Sequence, residues 1–184
     1  MPDRLALLRG INVGGKNLIK MADLRAGFED LGYEDVATYI QSGNVLFKSP
    51  REPRDELTAR MEKELSKEFG IQLRLVLVTE PQLRKVVEKA PKGFGSDSHK
   101  SDVIFLRKPL TAARAHAVAE TREGIDEKWS ANGVVYFARL SEKASGSRLS
   151  KIVAQPEYKN MTIRSWSTTT KLLGIFESRA ADAA

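Results

Sequence analysis

The chain has 184 residues, with 30 Lys and Arg against 24 Asp and Glu, 41% hydrophobic residues and no cysteine. That length accommodates one domain or two small ones with a true core, and the composition is that of a soluble globular protein. The lack of cysteine excludes disulfides, thiol chemistry and any cysteine-ligated metal or cluster; no apolar stretch approaches the roughly 20 residues of a membrane span and no signal peptide is visible, so the expectation is a cytoplasmic protein without a membrane partner.

In chain order, a predicted strand over Arg4–Arg9 breaks into a glycine-rich basic loop, Gly10-Ile11-Asn12-Val13-Gly14-Gly15-Lys16-Asn17. Strand, glycine loop and helix together are one way to present backbone N–H groups to an anion. The spacing of Gly10, Gly15 and Lys16 approaches a P-loop, but the next residue is Asn17 where a magnesium-ligating hydroxyl belongs. The apolar stripe of the following helix, Leu24, Phe28 and Leu31, also begins too late. A glycine turn between strand and helix is the favoured reading.

The pattern continues with a helix at Met21–Leu31, strands at Val36–Gln41 and Asn44–Lys48, and a helix at Arg54–Glu68. A strand at Gln72–Val78 and a short helix at Pro81–Lys89 follow. Residues 91–100, rich in Pro, Gly, Ser and Lys, read as a linker. Beyond it come a strand at Asp102–Arg107, a helix at Thr111–Glu120, and strands at Ile125–Trp129 and Val134–Arg139 around an Asn132-Gly133 turn. A helix at Ser147–Val153, a strand at Asn160–Arg164 and a helix at Ser167–Phe176 complete the series, with Glu177–Ala184 as a frayed tail. The chain thus repeats one pattern twice. The expected fold class is α+β, with two tandem ferredoxin-like halves, each βαββαβ plus a trailing helix, at residues 1–90 and 101–178 of one compact protein.

Three blocks carry a resemblance: Leu8 to Asn17 with Met21-Ala22-Asp23-Leu24-Arg25, Thr38 to Phe47, and Thr162 to Thr168 with Lys171-Leu172. Together they resemble a bacterial family known only as domain of unknown function 1697. The chain departs from that family's pattern at Gly146, where Arg is frequent, and at Ser165, where Asn is usual. The resemblance implies a cytoplasmic α+β protein with no assigned chemistry.

Charge is unevenly placed: residues 1–90 carry net +1 and residues 91–184 net +5. Between Lys128 and Lys171 eight bases face only Glu142 and Glu157. Such a window suits an anionic partner, nucleic acid or a small phosphate or carboxylate. Two clusters are candidate ligand-binding residues. The first is Arg9, Asn12, Gly14, Gly15 and Lys16, where turn formation by Asn12 and the glycines is the competing role. The second is Arg148, Lys151, Arg164, Ser165, Ser167, Thr168 and Lys171, where Ser165 or Ser167 can serve as a helix cap beside Arg164. Trp166 reads as an anchor of the last helix. His99 and His116 fit no nucleophilic device, and the carboxylates fall on polar helix faces, so neither metal nor cofactor is expected and no catalytic residue is assigned. Three readings stand: a binding module for an anionic ligand such as nucleic acid, a small-molecule enzyme or sensor with a phosphate- or carboxylate-bearing ligand between the halves, and an interaction protein without ligand.

Overall fold

The computed structural model describes residues 1–182. It resolves into two compact units, Met1–Glu80 and the chain from Pro81 onward. The first unit comprises β1 (Asp3–Arg9), α1 (Met21–Asp30), β2 (Glu34–Tyr39), β3 (Asn44–Lys48), α2 (Arg54–Phe69) and β4 (Arg74–Thr79). Its sheet has the order β2-β3-β1-β4 with every pair antiparallel. Alternation along the strands puts Ala6, Leu8, Val45, Phe47, Leu75 and Leu77 on one face, where they meet Leu24 and Phe28 of α1 and Leu57, Met61 and Leu65 of α2. The Phe28 ring lies edge-on to Phe47 at 5.2 Å between centroids, and Tyr33 joins them at 4.9 Å from Phe47. Gly70 closes α2 in the left-handed conformation, φ 65°.

The second unit takes in α3 (Glu80–Glu88) from Pro81, then β5 (His99–Leu106), α4 (Ala112–Val118), β6 (Asp126–Ala131), β7 (Val134–Leu140), β8 (Met161–Ser165) and α5 (Trp166–Asp182). Its sheet has the order β6-β7-β5-β8, again antiparallel throughout. Ile104, Val135, Phe137 and Met161 pack against Ala115 and Ala119 of the α4 region and against Leu149 and Ile152. Thr111 caps α4 by accepting the Arg114 N–H, and the Lys128 ammonium donates to the carbonyls of His116 and Ala119 at its other end, each at 2.6 Å. That use of a cation suits the negative end of a helix. The fold is therefore mixed α+β, with two four-stranded antiparallel sheets and helices.

The β7–β8 connection differs from expectation. In place of one helix at Ser147–Val153 there are three 3-10 turns, Ser141–Gly146, Leu149–Ala154 and Pro156–Asn160. The core-facing residues Leu149 and Ile152 are three apart, which fits a three-residue turn, and Pro156 stops any continuation. The Asp126 carboxylate also accepts the N–H groups of Arg122 and Arg148, holding the connection to the start of β6. β5 begins at His99, within the Pro/Gly/Ser-rich segment, and α5 extends through Asp182. The last two residues of the expected tail lie outside the described residues. Among the described residues no helix is long and apolar enough to cross a membrane.

Candidate functional site

The glycine loop is a small self-closed hairpin. The Asn12 N–H donates to the Asn17 carbonyl and the Lys16 N–H to that of Val13, both at 3.1 Å. The Asn12 amide donates to the carbonyls of Ile19 and Gln41 and accepts from the Ile19 N–H, at 2.8–2.9 Å. It thereby ties the loop to the β2–β3 turn. Asn12 and Gly14 and Gly15 all have positive φ, 53°, 59° and 74°, so the turn geometry requires residues of this type. Lys16 is exposed, and Arg9 is half-buried opposite Arg74 in the β1–β4 register.

The C-terminal cluster is distributed over three places. Arg148 is half-buried at the start of the second 3-10 turn, and Lys151 is exposed within that turn. Arg164 is 6% exposed on β8, where its guanidinium donates to Thr162 Oγ1 at 2.8 Å and the Ile163 carbonyl at 2.9 Å. Burial pushes its pKa down to about 10. Ser165, Ser167 and Thr168 form the entry to α5: Ser165 Oγ accepts the Thr168 N–H at 3.2 Å and lies 3.1 Å from Ser167 Oγ. Lys171 is exposed one turn on.

The structure adds a cleft of about 630 Å³ at this entry, lined by His99, Lys100, Asp102, Arg139, Ser165 and Ser167 among others. Its origin lies in the sheet. β8 pairs with β5 only from Leu106 back to Asp102, opposite Ser165, and the chain then turns into α5. His99, Lys100 and Ser101 are left with a partner strand on the β7 side alone. The floor is an ion pair, Arg139 Nη2 to Asp102 Oδ2 at 3.1 Å, with the two side chains 23% and 13% exposed. Burial raises the Asp102 carboxyl above its ordinary range, and Arg139 only partly offsets this. Asp102 Oδ2 makes no hydrogen bond.

The segment before β5 contributes Gly95, Ser96 and Asp97 to the cleft lining, and the residue before them anchors Trp166. Phe94 packs edge-on to Trp129, Tyr136 and Trp166, with centroids 6.0, 5.0 and 5.1 Å away. Tyr136 donates its hydroxyl to the Val86 carbonyl at 2.7 Å, and the Asn132 amide bridges Tyr136 and the Lys89 carbonyl. Trp166 is thus held among aromatic rings. Of the candidate residues read from sequence, the cleft brings together Ser165 and Ser167. The added members, His99, Lys100, Asp102 and Arg139, sit on the two central strands. Arg139 interrupts the apolar run of β7 and is the one signal in the sequence, whereas Asp102 ends the polar stretch His99-Lys100-Ser101 that opens β5. No group of three or more His, Asp or Glu among the described residues is placed to hold a metal ion.

A family model described as a protein of unknown function, DUF1697, matches residues 1–136. The match spans the first unit and continues through β5 and β6 into β7. Among solved structures the chain is similar to the conserved bacterial protein SP0830 from Streptococcus pneumoniae, at 27% identity and a TM-score of 0.84, over 96% of this chain and 99% of that one. No curated protein matches the chain.

Proposed function

The chain belongs to the DUF1697 family, whose description assigns no activity, and on that premise we propose that it is a binding module for a small anionic ligand held in the cleft between β5, β7 and the start of α5. The observation that carries this reading is the convergence of Arg139, Lys100, Ser165 and Ser167 on one cavity of about 630 Å³. That volume lies within the range of small-molecule sites. The start of α5 contributes a partial positive charge at the same place. The role of the glycine loop in this account is structural, because the Asn12 amide is used within the fold.

A small ligand is favoured over nucleic acid by the fate of the basic window. Lys128 caps α4 and Arg164 is buried, so two of its eight bases serve the interior. A second reading, small-molecule catalysis, is favoured by Asp102 itself. A carboxyl with a raised pKa in a cleft suits proton transfer. We also read the two units as tandem ferredoxin-like halves, on the support of their matching strand orders.

The test is calorimetric titration with inorganic phosphate and with malonate, beside fluorescence anisotropy with a labelled single-stranded oligonucleotide. The account expects saturable binding of a small acid that is lost in Arg139→Gln, and no saturable oligonucleotide signal at near-physiological salt. Tight oligonucleotide binding with a steep salt dependence would instead favour nucleic acid.

A further inference from the structure

Arg139 lines two cavities. Besides the cleft it borders a groove of about 270 Å³ at the 3-10 turns and β8, whose apolar walls are Ala144, Leu149, Ile152, Val153 and Ile163. The remaining lining residues are serines, so Arg139 is the one charged group there. The local sequence explains the groove. Leu149 and Ile152, three residues apart, enter the core, and Val153 follows them at 59% exposure. Among the described residues of this unit no other large hydrophobic side chain is so exposed. The guanidinium, for its part, has donors to offer. Its ion pair with Asp102, 3.1 Å long, is a charge contact without a hydrogen bond. Among the described residues its N–H groups donate no hydrogen bond, and its nitrogens are not sealed from solvent. Such an arginine keeps its planar fork of donors for an incoming carboxylate or phosphate.

We infer that the ligand is an amphiphilic acid, whose carboxylate or phosphate takes the donors of Arg139 while its aliphatic chain lies in the groove along Leu149, Ile152, Val153 and Ile163. This inference rests on the proposed role of the cleft and adds the ligand's chemical class. One side chain shared by a polar cleft and an apolar groove is what joins the two parts of the ligand. Aliphatic chain placed in the groove leaves water and covers the exposed Val153, which is favourable in proportion to the apolar area removed. A purely polar acid such as malonate uses the head-group contacts alone.

The experiment is calorimetry on the full chain with acetate, butanoate, hexanoate and octanoate, with ethyl and hexyl phosphate as a second series and malonate as the reference. The two series distinguish a carboxylate head from a phosphate. In at least one of them affinity is expected to rise about two- to threefold per methylene, short of the roughly fourfold of complete burial because the groove is open. Arg139→Gln is expected to weaken the longer acids at least about tenfold, through loss of the charged hydrogen bonds. Ser150→Phe, which fills the groove from its exposed side, and Val153→Asn, which makes its wall polar, are each expected to flatten the rise to within about twofold across the series. Malonate binding without any gain from chain length in either series overturns the amphiphile and leaves the anion-binding cleft standing. Unchanged affinity for the longer acids in folded Arg139→Gln overturns it too, because the head would then be held elsewhere. So does a gain that survives in Ser150→Phe and Val153→Asn; should one of these not fold, the other decides. If neither malonate nor any acid of the two series binds saturably, the cleft reading fails and this inference fails with it.

Discussion

Asp102 on β5 lies directly across from Ser165, the last residue of β8, so a largely buried carboxylate and the cap of α5 belong to one cleft. The carboxylate is held by Arg139 on its other side. Desolvation outweighs that pairing, and the Asp102 carboxyl titrates above the ordinary value of 3.8. The sign for stability follows. Because the folded-state value is the higher one, ionised Asp102 disfavours the folded state; this cost is fully present above the raised value and disappears as the pH falls through it to 3.8. In a carboxyl NMR titration the Asp102 midpoint is expected above 3.8 in the wild type and higher still in Arg139→Gln, which removes the opposing charge. A midpoint at or below 3.8 contradicts the described burial.

Asn12 is expected to matter for stability and Lys16 not to. Replacing Asn12 by Ala removes three hydrogen bonds and strands the Ile19 N–H and two carbonyls. The cost is about 1–3 kcal/mol in urea denaturation, with faster amide exchange at Ile19. Lys16→Ala, on the exposed tip of the same loop, stays within about 0.5 kcal/mol. Equal effects of the two changes would contradict the clasp.

Tyr136 is fully buried, and its hydroxyl serves both the Val86 carbonyl and the Asn132 amide. Tyr136→Phe leaves both without that partner, at an expected cost of about 1–3 kcal/mol. The matching spectroscopic result is phenol ionisation at a pH above 10, since burial raises this group.

Phe94 packs edge-on against Trp166, which lines the cleft. Phe94→Ala is expected to cost near the lower end of the ~3–5 kcal/mol seen for such truncations, as the ring is half-buried, and to diminish the near-ultraviolet circular dichroism of Trp129 and Trp166. Gly95→Ala is expected to be damaging as well. Its φ is 82°, and an added methyl would run into the Trp166 indole.

Local pattern made much of the fold legible. β3 occupies Asn44–Lys48 as its apolar run indicates, and α2 follows its stripe of Leu57, Met61 and Leu65 to the Gly70 stop. The 3-10 turns between β7 and β8 were not legible, because a three-residue spacing of Leu149 and Ile152 reads equally as one turn of α-helix. Arg164 shows the same limit for charge. Counted in composition it belongs to a basic surface, yet its alternation with Ile163 on a short strand puts it inside. The cleft was the least legible feature. His99, Asp102, Arg139 and Ser165 come from three strands, and only the register of β5 with β7 and β8 brings them together. Ser165 and Ser167 were visible because a helix cap has a local signature, and the residues opposite them have none.

The most direct measurement is an amide-resolved NMR titration of the full chain with inorganic phosphate and with malonate. The account predicts saturable shifts confined to residues 99–102, Arg139 and residues 165–168, with a common dissociation constant at all three places. Shifts centred instead on the 10–17 loop or on the exposed Lys151 and Lys171, or no saturable shift with either ligand, would contradict it.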